Sequence, residues 1–136
     1  MRHFILCLTL LVGFAACTKH SGPSPDPKDS VIGRWLLVKA VGGIVGITFT
    51  PDKDSVYALQ MNHDSTWDFR MNNRVTASGT FTSTIWSPGG VNQDFPALIF
   101  KPTPGWLDLY TLRNDTLTLT DQAADAYTST YVRAQN

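Results

Sequence analysis

Residues 57–71, YALQMNHDSTWDFRM, hold two runs in which a large apolar side chain falls on every second position. Tyr57, Leu59 and Met61 form the first run; Trp67, Phe69 and Met71 form the second. Val56, Ala58 and Gln60, then Thr66, Asp68 and Arg70, take the alternate positions. A period of two belongs to a strand with one buried face and does not suit a helix, whose period is 3.6. His63-Asp64-Ser65 between the runs is turn-forming by composition. The two runs are therefore expected to be neighbours in an antiparallel hairpin, with their six large side chains on a shared face.

The same pattern extends over most of the chain. Strands are expected at 32–41, 55–62, 66–71, 74–86, 97–101, 107–113, 116–120 and 127–134. Asn72-Asn73 and Asn114-Asp115 supply two-residue turns, because Asn tolerates positive φ. In 74–86, Val75, Ala77, Gly79, Phe81, Ser83 and Ile85 are expected on one face, with Gly79 marking a bulge or bend. Eight short strands at hairpin spacing fit either a β-sandwich or an up-and-down barrel. A sandwich leaves edges that must be protected, and only Lys39, Lys53 and Lys101 are strand-associated lysines. The uncharged Thr/Ser faces would pair edge to edge. The expected fold is thus all-β, an eight-stranded antiparallel up-and-down barrel.

At 136 residues, with 43% hydrophobic and 11% aromatic content, the chain suits a single domain with a real core. Eleven basic residues balance eleven acids, all of them aspartate, and no basic run or pole favours nucleic acid. The N-terminus has a separate purpose. Met1-Arg2-His3 is a short positive start, 4–14 is almost unbroken apolar sequence, and Ala15-Ala16 precede Cys17. This is the layout of a secretory signal, and it is shorter than the about 20 apolar residues of a membrane span.

Phe14-Ala15-Ala16-Cys17 resembles the lipobox of bacterial lipoproteins, with Phe14 where that pattern usually has Leu. The resemblance implies that 1–16 is removed and that Cys17 becomes a lipidated first residue, anchoring the protein to a membrane. Cys7 lies in the removed segment, so the mature chain would hold one cysteine and no disulfide. Residues 17–30 form the lipidated cysteine and a Pro/Ser-rich tether. Pro23, Pro25 and Pro27 stiffen it to a reach of roughly 40 Å. Thr18 after the cysteine points to the outer membrane, and the missing acidic run favours its periplasmic face. The barrel domain then spans 31–136.

Gly33-Arg34-Trp35 at the start of the first strand resembles the GxW signature of lipocalins, with Arg133 where that family stacks an arginine over the tryptophan. Residues 114–119 and 129–133 are similar to the lipocalin-like domains of Bacteroidetes lipoproteins. The resemblance implies that Gly33, Trp35 and Arg133 close one end of a barrel, a structural role. It also implies a non-enzymatic protein that carries or senses a small apolar ligand. Tyr57, Leu59, Met61, Trp67, Phe69 and Met71 are the candidate ligand-binding residues; they would either fill the barrel or line a cavity in it. The competing reading is a filled barrel that offers its surface to a protein or glycan, with Trp86, Trp106 and Tyr110 as stacking candidates.

Catalysis and metal binding find little support. His63 is the sole histidine after the tether and sits at a turn. A zinc site needs three or four ligands of a kind this chain barely contains. Asp52-Lys53-Asp54 lacks the glycine and closing glutamate of a calcium loop. Asp68 and Asp108 are the in-strand carboxylates a glycosidase would need, and both are expected to face solvent because their strand neighbours are apolar. No cofactor is expected.

Overall fold

Pairing between the first and last strands turns one antiparallel sheet into a closed barrel. The structure, a computed structural model, describes residues 30–90, 92–102 and 106–135. The expected signal segment and tether, Cys17 included, lie outside the described residues apart from Ser30.

The strands are β1 Gly33–Gly42, β2 Ile47–Phe49, β3 Tyr57–Met61, β4 Thr66–Met71, β5 Arg74–Trp86, β6 Phe95–Lys101, β7 Trp106–Arg113, β8 Thr116–Asp121 and β9 Tyr127–Arg133. Strands β1 and β3 to β9 form an eight-stranded up-and-down barrel, lipocalin-like in its architecture. The sandwich alternative is excluded by the β1–β9 closure. All eight expected strands are present. Pro96, just outside the expected 97–101 strand, stands inside β6 opposite Ile85. The additional strand, β2, pairs with the end of β1 through Ala40–Phe49, Val41–Thr48 and Gly42–Ile47. It is three residues long and exposed, too short for an alternation to show.

Turns follow the residues expected to make them. Asn72 and Asn73 have φ of 50° and 65°, and Asn114 has φ of 52°. In the turn before β4, Asp64 Oδ1 accepts the backbone N–H of Thr66 at 3.0 Å and its hydroxyl at 2.6 Å. These bonds hold the Asp64 carboxyl below its ordinary pKa.

Two bulges break the simple alternation. In β1, Leu37 pairs with Tyr131 while Lys39 pairs with Thr130, leaving Val38 unmatched. Strict alternation from Trp35 would have pointed Lys39 into the barrel; the extra residue returns it to solvent. In β5, Thr76 is the unmatched residue, between Ala77 opposite Phe69 and Val75 opposite Arg70. Val75 therefore leaves the inner face on which the alternation had put it. The bulge lies at Thr76, not at Gly79. Gly79 serves a close approach instead: a Cβ there would sit 1.7 Å from the Lys101 carbonyl oxygen.

One end of the barrel is sealed. Trp35 is fully buried among Leu59, Met61, Leu117 and Tyr131, with Val31 and Ile32 packed against the same cluster. Its indole N–H donates to the Val31 carbonyl at 2.7 Å. The Arg133 guanidinium lies 4.2 Å from the Trp35 ring centroid. It donates to the carbonyls of Ile32 at 3.0 Å and Ser30 at 2.9 Å, and pairs with Asp115 at 3.3 Å. Gly33 makes room for this arrangement, with φ of 137° and a notional Cβ only 2.8 Å from Arg133 Nη1. Gly33, Trp35 and Arg133 thus meet in one cluster at this end.

Candidate functional site

The opposite end, carrying the turns at 43–46, 72–73 and 122–126, is not filled. Register places Met61 beside Trp67, Leu59 beside Phe69 and Tyr57 beside Met71, so the two apolar stripes share the inner face as expected. They diverge in depth. Met61 is fully buried near the sealed end, Met71 is exposed at the open rim, and Tyr57 packs edge-on to Phe49 with centroids 5.5 Å apart. Leu59, Trp67 and Phe69 occupy the level between and line a cavity of about 210 Å³.

Aromatic rings make one wall of that cavity. Trp67 lies 5.5 Å from Phe100 and 5.8 Å from Trp106 by ring centroids, and Phe100 stacks on Trp106 at 5.9 Å. The Trp67 indole N–H donates to the carbonyls of Thr80 and Lys101, both at 3.1 Å, so no polar edge is left to water. The missing side chain at Gly79, directly across from Trp67, lets the end of β6 come close enough to accept that bond. Trp106 is 44% exposed and stands where the cavity meets solvent.

The other wall is not apolar. Asp108 lines the cavity at 8% exposure, and its Oδ1 has no hydrogen-bond partner among the described residues. This overturns the solvent-facing expectation for Asp108. In β7 the inward residues are Trp106, Asp108, Tyr110 and Leu112, and Leu107 and Leu109 face outward. A usable signal was in the chain. A two-residue turn at Asn114-Asp115 puts Leu112 opposite Leu117 and Tyr110 opposite Leu119; continuing the ladder puts Asp108 opposite Asp121.

A second compartment of about 200 Å³ adjoins the first, sharing Trp106, Asp108, Leu119 and Tyr131, and adds Asp121, Tyr127 and Ser129. Burial, reinforced by the Asp121 charge, pushes the Asp108 carboxyl up to about 7. Burial also pushes the Tyr131 phenol up to about 12. One Asp121 oxygen accepts the Ala123 backbone N–H at 3.0 Å. The described lining of both compartments contains no lysine, arginine or histidine.

No family model matches this chain, and no curated protein matches it either.

The remaining candidates are dispersed. Asp68 is on the outer face, paired with Arg70. His63 is exposed in its turn, and Asp52 closes an exposed turn by accepting the Ser55 N–H at 2.9 Å. Among the described residues no group of three His, Cys, Asp or Glu side chains is placed to hold a metal ion. Trp86 packs against Phe95 at the sealed end, Trp106 stands at the open end, and Tyr110 points inward. These three do not form one stacking platform.

Proposed function

We propose that this protein is a lipid-anchored, lipocalin-like barrel of a bacterial cell envelope that carries or senses a small, largely apolar molecule and catalyses nothing. The observation that carries the reading is the aromatic-walled cavity of about 210 Å³. It lies where the stripes of β3 and β4 meet Phe100 and Trp106. Buried apolar area supplies affinity in such a site, and a few placed polar groups set orientation. The volume is below the about 300–1,000 Å³ of drug-sized pockets, so the fitting ligand has on the order of ten non-hydrogen atoms. Exposed apolar side chains crowd the same end: Ile44, Val45, Ile47, Phe49, Val56, Met71 and Tyr127. They give an apolar ligand a greasy approach to the opening.

Anchoring rests on Met1-Arg2-His3, the apolar 4–14 run and Cys17 behind two alanines. The tether would enter the barrel at its sealed end, where Ser30 meets Arg133, leaving the opening free. The periplasmic face of the outer membrane is the proposed location, through Thr18 and the lack of an acidic run after Cys17. The alternative, a filled barrel serving as a protein or glycan module, draws on the exposed Ile44, Val45 and Ile47; the unfilled open end weighs against it.

Two experiments test the reading. Titrating the protein with small aromatic and aliphatic compounds should change the emission of Trp67 and Trp106. A flat response across the whole panel would remove the carrier proposal. Expression in a bacterial host with labelled palmitate should label the wild type and not Cys17→Ala; label retained by the variant would remove the anchor.

A further inference from the structure

We propose that the open end of the barrel is an amine site, taking a small ligand whose aromatic or aliphatic body lies against Trp67, Phe69, Phe100 and Trp106 and whose ammonium meets Asp108 and Asp121. The inference rests on the interior being a ligand site and names the class of ligand that fits it.

Three observations converge. Asp108 is 92% buried, lines both compartments and has a carboxyl oxygen without a hydrogen-bond partner among the described residues. A buried carboxylate in that condition is costly and needs a counter-charge or a proton. Second, its cross-strand neighbour on the same inner face is another carboxylate, Asp121, and the Cβ atoms of such a pair are about 4.5–5.5 Å apart. The described lining supplies no cation to either of them. Third, the acid pair adjoins an aromatic wall through Trp106, which borders both compartments and can add a cation–π contact.

Other occupants fit less well. Two carboxylates are too few for calcium, which takes six to eight oxygens, and no third acid joins them among the described residues. An anionic ligand such as a fatty acid would face two like charges. A neutral ligand would leave Asp121 without a partner charge. An alkylammonium, ionised below about pH 10, satisfies both acids at once. In the empty protein Asp108 is about half protonated near pH 7; binding the ammonium there releases that fraction of the proton to solvent. The groups facing Asp108 are Asp121 from β8 and Tyr131 from β9, with Tyr110 beside it on β7. Leu98 faces it from β6. The charge of Asp108 changes near pH 7.

The test uses three ligands of matched body: 2-phenylethylamine, 2-phenylethanol and 3-phenylpropionate, titrated against the barrel by calorimetry and tryptophan emission. At pH 8 the amine should bind at least tenfold more tightly than the alcohol, and the carboxylate should bind weakest. Lowering the pH from 8 to 5 should weaken the amine on the order of 100-fold, since each unit below the Asp108 midpoint costs up to tenfold. Asp108→Asn and Asp121→Asn should each shrink the amine-over-alcohol ratio, the first to near one. Alcohol and amine binding equally, or the carboxylate binding best, would overturn the amine assignment while leaving the apolar cavity in place. If none of the three binds, the cavity reading itself falls.

Discussion

The two ends of this barrel use the same strands to opposite purposes. At the sealed end Trp35, Met61 and Leu117 are fully buried. The charge packed on Trp35 there, Arg133, has its donors satisfied by two carbonyls, a carboxylate and an indole face. At the open end the inward positions include Ala77, Ser129 and two aspartates, and a buried carboxyl oxygen lacks a partner. Polar groups are costly to bury and are normally matched. A charge matched at one end and unmatched at the other marks the second as the place left for something else.

The largest expected effect comes from opening the sealed end. Trp35→Ala removes a fully buried indole and the platform for Arg133, and should cost roughly 3–5 kcal/mol in urea unfolding. A loss below about 1 kcal/mol would mean that this end is not the core.

Next comes Asp108. Its folded pKa is raised, so the stability of the wild type is fully present below the unfolded value near 4 and is lost as pH rises through about 7. Asp108→Asn should therefore match the wild type at pH 4 and exceed it by roughly 2–4 kcal/mol at pH 8. A constant difference across that range would contradict the burial of an unmatched acid.

Arg133→Ala should cost about 1–3 kcal/mol, by removing the cation–π contact and its charged hydrogen bonds. If the contacts to Ile32 and Ser30 carry most of that, Arg133→Lys should recover only part of it. The smallest effect is expected from filling the hollow. Ala77→Leu should change stability by no more than about 0.5 kcal/mol, because it enters open space lined by Leu59 and Phe69. It should nonetheless weaken binding of 2-phenylethanol severalfold. A large destabilisation would show that the space is already occupied.

Much of this contrast can be read from the chain, and the legible part has a common cause. Hairpins joined by Asn72-Asn73 and Asn114-Asp115 set register locally, so the β3/β4 stripes and the barrel order follow from period and turn chemistry. Gly33, Trp35 and Arg133 are legible through a resemblance, and their geometry explains the residue choice: a side chain at 33 would be strained at φ of 137° and would push that guanidinium aside. What escapes is set by single-residue irregularities. Val38 and Thr76 have no composition that marks them as bulges, yet each changes which residues face inward beyond it. Asp108 escapes for a different reason. β7 carries apolar residues in both phases, and a carboxylate flanked by leucines reads as the solvent side. Only the ladder carried back from the Asn114-Asp115 turn reverses that reading.

The central claim is that the open end encloses an acid with no partner of its own. Its most direct measurement is the ¹³C carboxyl shift of Asp108 across a pH titration of the ligand-free protein. The structure predicts a midpoint near 7, displaced downward when 2-phenylethylamine is present in excess. A midpoint near 4, unchanged by the amine, would place Asp108 in water and contradict the account.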